Sequence, residues 1–401
     1  MKIPNDWNMA KFGELAKITC GVAATPEYVD AAIGVPFLSA RNVQKERLDL
    51  SYFQHIPREL HEKLTKNTKP AKGDVLLTRV GAGIGEAAVV DIDFEFSVYV
   101  SLTLIKCGKY LDSEYVKSLL NTNYYRYLAT RDQFAGGGVQ NLNVQMVKEY
   151  PIPVPPLPEQ KKIAQILNTW DKAITTTEKL LANSQQQKKA LMQQLLTGKK
   201  RLLDKNGAKY PEWKFHKVGK FFTPYKELVS ADTNLPILTS SRTGLFEQER
   251  SVINEGSYGV LPKGYFTYRH MSDDLIFKFN LNRSWERGAI SKEYPVFKTD
   301  GLDSIFLEAQ LNYGPAFKKF AVQQKQGGTR TRLYYKNLCD FGFKMPSLEE
   351  QRKIAAVLST ADQEITALQQ KLDALEQEKK ALMQQLLTGK RRVKVDNKEV
   401  A

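Results

Sequence analysis

Cysteine is scarce in this sequence, and long apolar runs are missing. The 401 residues include 3 cysteines, and Cys20, Cys107 and Cys339 lie far apart along the chain. An odd number at such spacing suits neither a disulfide framework nor a zinc site, so we expect reduced, mostly buried thiols. No stretch approaches the roughly 18 consecutive apolar residues of a membrane-spanning helix, and the N-terminus shows no apolar signal-peptide core. We therefore expect a cytoplasmic protein without a membrane partner.

Motifs for common catalytic chemistry are missing as well. The sequence has no [DNS]PP[YF] motif for base methylation, no HExxH, no convincing PD-(D/E)xK nuclease cluster and no GxxxxGK[ST] phosphate loop. The glycines from Gly81 to Gly85 depart from GxGxxG because Glu86 occupies the position of the third glycine. The 4 histidines and 3 cysteines have no metal-ligand or catalytic-triad spacing. We expect no catalytic residues, no metal site and no directly bound cofactor.

Positive charge is abundant instead. Lys and Arg total 59 against 44 Asp and Glu, which gives a net charge of +15 and a pI near 9.4. A basic surface of this kind suits a polyanion, and nucleic acid is the favoured partner. A solvated basic surface that faces an acidic protein is the alternative. The length is sufficient for two domains, each with its own hydrophobic core.

A duplicated segment organises the sequence. The residues KKALMQQLLTGK begin at Lys188 and again at Lys379. The same offset of 191 positions aligns PPLPEQKKIAQIL from Pro155 with PSLEEQRKIAAVL from Pro346, and the match runs without a gap to the end of each copy. The whole segment has therefore been duplicated.

The apolar spacing in each copy predicts a helix of about 40 residues. Apolar positions alternate by three and four, as in a coiled-coil seam, and the copies close on Gly198 and Gly389. Each stripe could pack on its own neighbouring domain or on another subunit. Equal period and length favour pairing of the two helices, and chain order favours an antiparallel pair. The predicted seam consists of Ile163, Leu167, Ile174, Leu181, Leu191 and Leu195, with Ile354, Leu358, Ile365, Leu372, Leu382 and Leu386.

The residues before each helix form two diverged modules. Trp7 and Trp213 are each followed six residues later by a glycine, and KGDVLLTRVGAGIG from Lys72 corresponds to KGYFTYRHMSDD from Lys263. The runs DVLLTRV, AAVVDI, SVYVSLTLI and DLIFKF predict strands, and LDSEYVKSLLNTNYYRYLA from Leu111 predicts an amphipathic helix. We predict an α+β fold in which two mixed α/β modules of about 150 residues are separated by the helix pair, with an internal pseudo-two-fold duplication.

This arrangement resembles the specificity subunit of Type I restriction-modification enzymes. The resemblance rests on the helix openings PPLPEQ and PSLEEQ, the two LLTGK ends and KGDVLLTRVGAGIGEAAVV, and it covers essentially the whole chain. It implies target recognition domains at residues 1–155 and 204–346. It also implies conserved coiled-coil helices at residues 156–203 and 347–401, the latter with a C-terminal tail. Each domain would read one half of a split double-stranded DNA target.

The resemblance further implies what the partners do. The antiparallel coiled coil would fix the spacer between the half-sites and dock two methyltransferase subunits, and restriction subunits would join the full complex. Cleavage, ATP hydrolysis and adenine methylation would belong to those partners, which would hold S-adenosylmethionine, ATP and magnesium. The chain itself would be a non-catalytic, DNA-binding subunit.

Candidate DNA contacts in the first module lie in three loops. Arg41 and Asn42 in LSARNVQ offer donor and acceptor patterns suited to guanine and adenine, although Arg41 would serve equally well as a phosphate contact. Arg79 precedes glycines that permit close backbone approach. Gln140 and Asn141 follow three glycines in a loop suited to a groove or to a plain connection.

The second module carries candidates at the matching places. Its glycine loop is basic where the first is amide-bearing, which is expected if the modules read different sequences and equally if they have drifted apart. The candidates are Ser240, Ser241, Arg242, Tyr268, Arg269, His270, Arg330 and Arg332.

Two other classes of function stay open. A fused enzyme whose motifs have drifted beyond recognition would transfer methyl groups without a partner. A coiled-coil scaffold with non-specific nucleic-acid-binding modules would show little preference among DNA sequences while its affinity still fell with salt.

Overall fold

The structure, a computed structural model, describes residues 3–21, 26–131, 141–248, 256–325 and 330–395. The chain divides into two compact units: unit 1 comprises Met1–Glu178 with Gln370–Ala401, and unit 2 comprises Lys179–Gln369. Each unit therefore contains one module and a part of each predicted helix. The domain boundaries predicted after residues 155, 203 and 346 stay predictions.

Unit 1 has a mixed α and β fold. Its described strands are β1 Asn8–Lys11, β2 Ala16–Cys20, β3 Val35–Leu38, β4 Val43–Gln44, β5 Arg47–Leu48, β6 Gln54–Ile56, β7 Val75–Thr78, β8 Ala87–Val89, β9 Ser97–Val98, β10 Leu102–Cys107 and β11 Pro151–Val154. Its described helices are α1 Phe12–Leu15, α2 Arg58–Thr65, α3 Ser113–Leu120, α4 Asn123–Arg131, α5 Val144–Lys148 and the first part of α6 Leu157–Leu195. The central antiparallel sheet has the order β2-β10-β7-β8, and a smaller sheet has the order β6-β3-β9.

The main core of unit 1 joins this sheet to the helices. All four residues of β7 are buried, which explains why the run DVLLTRV lacks the alternation of a half-exposed strand. Phe12, Ile105 and Tyr115 pack in one cluster with Ile163 and Leu167 of α6, and all five are buried. Burial of a side chain such as Leu167 contributes about 1.5–3 kcal/mol. Strand β1 pairs with β11, which leads into α6.

Unit 2 also has a mixed α and β fold, with more described strands than unit 1 and no described counterpart of α2. Its described strands are β12 Lys214–Lys217, β13 Phe222–Pro224, β14 Leu228–Ser230, β15 Leu238–Ser240, β16 Leu245–Glu247, β17 Ser257–Pro262, β18 Phe266–Tyr268, β19 Met271–Ser272, β20 Phe279–Leu281, β21 Arg287–Ser291, β22 Val296–Thr299, β23 Thr331–Arg332 and β24 Gly342–Met345. Its described helices include α7 Ser304–Tyr313, α8 Pro315–Gln323, α9 Tyr335–Cys339 and part of α10 Leu348–Leu386. The sheet β13-β22-β18-β20 corresponds strand for strand to the central sheet of unit 1.

Aromatic side chains fill the core of unit 2. Phe266 and Phe297 stack with ring centroids 5.2 Å apart, and Phe279 belongs to the same cluster. Ile354 and Leu358 at the start of α10 complete this core. Both modules thus bury the first turns of the helix that follows them in sequence, which fixes where each long helix leaves its module.

The two long helices confirm the predicted lengths and ends. Each spans 39 residues, and Gly198 and Gly389 follow them with φ of 70° and 71°, the left-handed conformation that ends many helices. The predicted seam positions are at least half-buried, although those in the first turns of each helix pack into the core of the preceding module. Buried seam positions are Ile163, Leu167, Leu181, Leu195, Ile354, Leu358, Leu372 and Leu386, and half-buried positions are Ile174, Leu191, Ile365 and Leu382.

Within each unit the two helices run antiparallel. In unit 1, Leu386 lies in the same cluster as Ile163, while Lys379 bonds Asp171 at 2.6 Å, so numbers fall along one helix as they rise along the other. In unit 2, Leu195 and Leu196 join the cluster of Ile354 and Leu358, while Ser184 donates to Glu364 at 2.9 Å. Each module therefore holds the start of one helix against the end of the other.

A buried glutamate fixes this junction in unit 1. Glu159, 3% exposed, accepts hydrogen bonds from Trp7 Nε1 at 3.0 Å and from Arg392 Nε and Nη2 at 2.7 and 2.8 Å. Arg392 also donates to both carboxylate oxygens of Asp6 at 2.7 and 2.6 Å. A buried charge is stable only when it is paired and hydrogen-bonded in this way.

Unit 2 repeats the junction with the matching residues. Glu350, fully buried, accepts from Trp213 Nε1 at 3.0 Å and from Arg201 Nε and Nη2 at 2.7 and 2.8 Å. The guanidinium of Arg201 lies 5.6 Å from the Trp213 ring centroid, as that of Arg392 lies 5.7 Å from Trp7. The glutamate of each EQ motif and the tryptophan of each module are therefore parts of one structural joint.

Three predicted elements are wrong in detail, and one of them, the run SVYVSLTLI, is divided into β9 and β10. The helix predicted from Leu111 is broken into α3 and α4, because Asn121 between them bonds both backbone groups of Ala87, at 3.1 Å and 2.8 Å. Most of the run DLIFKF is not a strand. Asp274 accepts from the backbone N of Ile276 at 3.2 Å, and Leu275 has φ of 64°, so the chain turns there before β20 begins.

The thiols differ partly from the prediction. Cys20 is exposed, whereas Cys107 and Cys339 are half-buried. Burial raises the pKa of the Cys107 thiol to about 11, so this thiol stays protonated at neutral pH. None of the helices in the described ranges has the length and apolar content to cross a membrane. The same ranges contain no group of three or more His, Cys, Asp or Glu side chains placed to hold a metal ion.

Candidate nucleic-acid interface

The first candidate loop of unit 1 follows β3. Asn42 is 2% exposed, and its amide donates to the carbonyls of Asp49 and Tyr52 at 2.9 and 2.8 Å and accepts from Ser39 N at 3.0 Å. The guanidinium of Arg41 is exposed and lies 5.2 Å from the Tyr52 ring centroid. Asn42 therefore holds the loop with its polar atoms already used, and Arg41 is the side chain that the loop presents to solvent.

The structure brings Arg79 and Asn141 together. Arg79, 9% exposed, donates from Nε to the carbonyl of Leu142 at 2.9 Å and from Nη2 to Asn141 Oδ1 at 3.4 Å. Leu142 N in turn donates to the Arg79 carbonyl at 2.9 Å. Gln140, the neighbouring candidate, lies outside the described residues. The loops that carry Arg79 and Asn141 are distant in sequence, and they are joined by these hydrogen bonds.

The matching point of unit 2 has the same backbone pattern and different side chains. Leu333 N donates to the His270 carbonyl at 2.8 Å, and Met271 pairs with Arg332 as Val80 pairs with Asn141. His270 and Arg332 therefore occupy the places of Arg79 and Asn141. A common framework carries a different set of hydrogen-bonding groups in each unit.

Aromatic and basic groups surround this point in unit 2. The His270 ring is half-buried and stacks on the exposed Tyr334 with ring centroids 6.2 Å apart, while Arg332 Nη1 lies 3.4 Å from the Tyr334 hydroxyl. Burial lowers the pKa of His270 below its ordinary value, which favours the neutral ring at pH 7. Tyr268 is fully buried, and its hydroxyl donates to the Leu333 carbonyl at 3.0 Å. It supports the site from within the core, as Asn42 does in unit 1.

The other candidates of unit 2 line a cleft of about 300 Å³. Arg242 lies at the tip of the hairpin between β15 and β16, and Arg269 and Arg330 also line the cleft. The arginines are exposed, whereas Ser240 is 6% exposed and Ser241 is half-buried. The cleft combines several guanidinium groups with hydroxyls, the groups that contact phosphates and base edges in protein–DNA interfaces.

Several residues of these sites are not distinguished by sequence alone. Tyr52 supports Arg41, and Asn280, 3% exposed, donates to Ser240 Oγ at 2.8 Å and to the Ser241 carbonyl at 3.0 Å. Both lie in runs without a recognisable motif, so no local signal identifies them. Asp273 and Asp274 end the landmark KGYFTYRHMSDD, but acidic side chains are not expected in a basic site.

The comparison with known families matches most of unit 1 and part of unit 2. The family described as Type I restriction modification DNA specificity domain matches residues 4–184 and 290–377, more than half of the sequence. The chain belongs to the Type I DNA specificity family. It is accordingly a specificity subunit of a Type I restriction-modification system.

Individual relatives agree with this assignment. The specificity subunit of the type I restriction enzyme MjaVIII of Methanocaldococcus jannaschii is 24% identical, over 98% of this chain and 95% of that protein. The EcoKI specificity subunit of Escherichia coli K12 is 23% identical over 44% of this chain and 39% of that protein. The solved S subunit of the Type I system of M. genitalium has the same fold, with a TM-score of 0.60 at 14% identity over 96% of this chain and 98% of that one.

Proposed function

We propose that this specificity subunit reads a bipartite double-stranded DNA target, one half-site with the module of each unit. The helices α6 and α10 would fix the length of the unread spacer and dock two methyltransferase subunits. Restriction subunits would join the full complex. Its DNA substrate would lie in the cytoplasm.

One observation supports this proposal most directly: the two units share a backbone framework but carry different polar side chains at matching positions. Arg79 and Asn141 in unit 1, and His270 and Arg332 in unit 2, occupy matching backbone positions. Arginine, asparagine and histidine present different donor and acceptor patterns to base edges. A framework that stays constant while its polar groups change supports the reading of two different short sequences.

The joints of the long helices support the spacer role. Glu159 and Glu350 each tie the start of one helix to an arginine that follows the end of the other. A seam that is buried or half-buried at all twelve predicted positions supports a continuous helix pair. Two reading modules on such a pair would recognise blocks of DNA at a set distance.

The chemistry of the complex would lie on the partners. S-adenosylmethionine would be bound by the methyltransferase subunits, and ATP and magnesium would serve the restriction subunits. We expect the purified chain to show no methyl transfer to DNA with S-adenosylmethionine. Methyl transfer without a partner would support a fused enzyme instead.

Sequencing of methylated adenines in the host genome tests the proposal. The expected result is a split motif with one modified base in each half and a spacer of constant length. Deletion of the gene for this subunit should abolish that methylation, and reintroduction of the gene should restore it. A continuous motif, or a motif that survives the deletion, would contradict the proposal.

Competition binding at constant salt separates the proposal from a non-specific scaffold. Labelled target duplex should be displaced by unlabelled target at concentrations about 1,000-fold lower than those needed for unrelated DNA. A scaffold would be displaced equally by both, while its affinity still fell with salt.

A further inference from the structure

Two adjacent carboxylates lie among the basic side chains at the unit 2 cleft. Arg242 Nη1 and Nη2 donate to Asp274 at 2.8 and 2.8 Å, and Arg330 Nε donates to Asp273 at 3.0 Å. A carboxylate at a DNA-binding surface repels phosphate and lowers non-specific affinity. These aspartates therefore need a role other than attraction to the backbone of DNA.

The two ion pairs differ in how firmly they are built. Ser272 Oγ, in a residue only 5% exposed, lies 2.9 Å from Asp274 Oδ1, and Ile276 N donates to the same oxygen at 3.2 Å. The Ser272 hydrogen bond, helped by Arg242, lowers the pKa of Asp274 below its ordinary value, so the carboxylate stays charged. The pair of Asp273 and Arg330 has one direct contact; both arginines are 61% exposed, but Asp273 is 68% exposed and Asp274 43%.

The loop that carries Arg242 is fixed from the other side. Asn280 holds Ser240 and Ser241 through its buried amide. Ser241 N donates to the Gly244 carbonyl at 2.9 Å, and Gly244 has φ of 147°, so the hairpin tip makes a tight turn that favours glycine. The backbone and the guanidinium of Arg242 are thus both held in place before any ligand arrives.

The guanidinium of Arg242 has N–H donors that the pair with Asp274 does not use. A guanidinium has five N–H donors in one plane, and the two-point pair with Asp274 uses one on each terminal nitrogen. The edge formed by Nε and its neighbouring terminal nitrogen still offers two parallel donors. Two parallel N–H groups match O6 and N7 of guanine in the major groove.

We propose that Asp274 is a positioning residue that orients Arg242 to read a guanine in the half-site bound by unit 2. The inference rests on the proposed function and adds the base and the pair of residues that select it. Asp273 serves as the matched control, because it is the neighbouring residue, carries the same charge and pairs with an arginine of the same cleft.

Asp274→Asn and Asp273→Asn should affect DNA binding differently. Each variant loses one negative charge, so affinity for non-specific DNA should rise in both. Asp274→Asn should also reduce the preference for the correct guanine about five-fold or more, because it breaks the two-point pair that orients the fork. Asp273→Asn should keep that preference. Arg242→Lys, which retains the charge without the fork, should lose the preference as well.

The test uses the full-length subunit in complex with its methyltransferase subunits. The target is first selected from randomised duplexes, and each guanine of the half-site is then replaced in turn by 7-deazaguanine, which lacks the N7 acceptor. The wild-type complex should bind one substituted duplex about five-fold or more weakly. That sensitivity should be absent in Arg242→Lys, diminished in Asp274→Asn and unchanged in Asp273→Asn.

Three results would overturn this inference. In the first, the wild-type complex would be insensitive to 7-deazaguanine throughout the half-site, a result that requires no variant to fold. In the second, Asp274→Asn and Asp273→Asn would have the same sensitivity to 7-deazaguanine. In the third, Asp274→Asn would increase the affinity for specific and non-specific DNA equally, as expected of a charge that merely repels DNA. If the wild-type complex selects no target at all, the proposed function itself fails, and this result is distinct from the others.

Discussion

At the scale of single residues, the candidate loops contain two kinds of polar side chain. Asn42 and Tyr268 are buried and bonded to backbone carbonyls, whereas Arg41, Arg242 and Arg332 are exposed. Truncation of the first kind removes hydrogen bonds from the fold. Truncation of the second kind changes the surface, where substitutions alter stability by about 0.5 kcal/mol or less.

Asn42→Ala and Arg41→Ala should therefore separate stability from DNA affinity. Asn42→Ala leaves the Ser39 amide and two carbonyls without their partner, and we expect a loss of about 2–3 kcal/mol in the free energy of unfolding. Arg41→Ala should leave that free energy within about 0.5 kcal/mol and weaken DNA binding about five-fold or more. Denaturant unfolding and duplex binding measure the two effects. Equal DNA affinity of Arg41→Ala and wild type would remove Arg41 from the interface.

Sequence predicts residue types at the site better than their exposure. Arg79 and Asn141 are both predicted, and the structure places them in contact. The burial of Asn42 is not predicted, because it depends on the path of the chain back past Asp49 and Tyr52. A motif indicates which groups suit a base, whereas tertiary packing decides which of them reach solvent.

At the scale of elements, the helices are the most predictable part of the fold. The heptad pattern is local and occurs twice, so the extent of α6 and α10 agrees with the prediction from sequence. Sheet order is not predicted, since β10 pairs with both β2 and β7 across long stretches of chain. The break between α3 and α4 also escapes prediction because Asn121 is fixed by the distant Ala87.

An ion-pair network between α6 and α10 in unit 1 differs from the corresponding contact in unit 2. In unit 1, Asp171 of α6 accepts from Lys379 at 2.6 Å and from Lys117 at 3.2 Å, and Lys379 also bonds Glu46 at 2.5 Å. Burial raises the pKa of Asp171, but Lys117 and Lys379 outweigh it, and the net pKa lies below the ordinary value. The corresponding Asp362 of unit 2 bonds Lys188 and is 59% exposed, whereas Asp171 is 29% exposed.

Asp171→Asn should destabilise the protein more than Asp362→Asn. Asp171 is the half-buried partner of two lysines, and its loss should cost about 2–3 kcal/mol, somewhat less than the loss from a fully buried pair. Loss of the exposed Asp362 should cost about 1 kcal/mol or less. Because the folded pKa of Asp171 is lowered, its contribution is present above the ordinary carboxyl pKa and disappears as pH falls through the lowered value. Denaturant unfolding at pH 7 and below pH 4 measures this. Equal losses for both variants at pH 7 would contradict the assigned network.

At the scale of the whole molecule, each unit is assembled from distant parts of the sequence. Unit 1 requires residues from both ends of the chain, and unit 2 requires the end of α6 as well as the start of α10. The boundary between units falls after Glu178 in the first copy and after Gln369 in the second, the same position of the repeat. The duplication is evident from sequence, but the exchange of helix ends is not, because nothing local specifies which half of a helix packs with which module.

Insertion of one heptad after both of these positions tests the spacer role. Seven residues add about 10 Å to a helix, which corresponds to roughly three base pairs along DNA. The unread spacer should lengthen by that amount while both half-sites stay the same, as read from the methylated motif. Insertion in one helix alone should disrupt the seam and abolish target binding. Altered half-sites in the double insertion would show that the helices do not set the spacing.

The joint at Arg392 has a consequence for chain connectivity. Arg392 contacts Trp7 and Glu159 in the same way as Arg201 contacts Trp213 and Glu350. A short continuous segment joins Arg201 to Trp213, whereas Arg392 and Trp7 are far apart in the sequence. A short peptide from residue 395 to residue 3, with new ends opened at the exposed turn around Asn206, would therefore give a circular permutant. Such a permutant should refold and recognise the unchanged DNA motif. That result would show that each joint is held together by its buried glutamate, tryptophan and arginine, and not by the covalent connection of the chain.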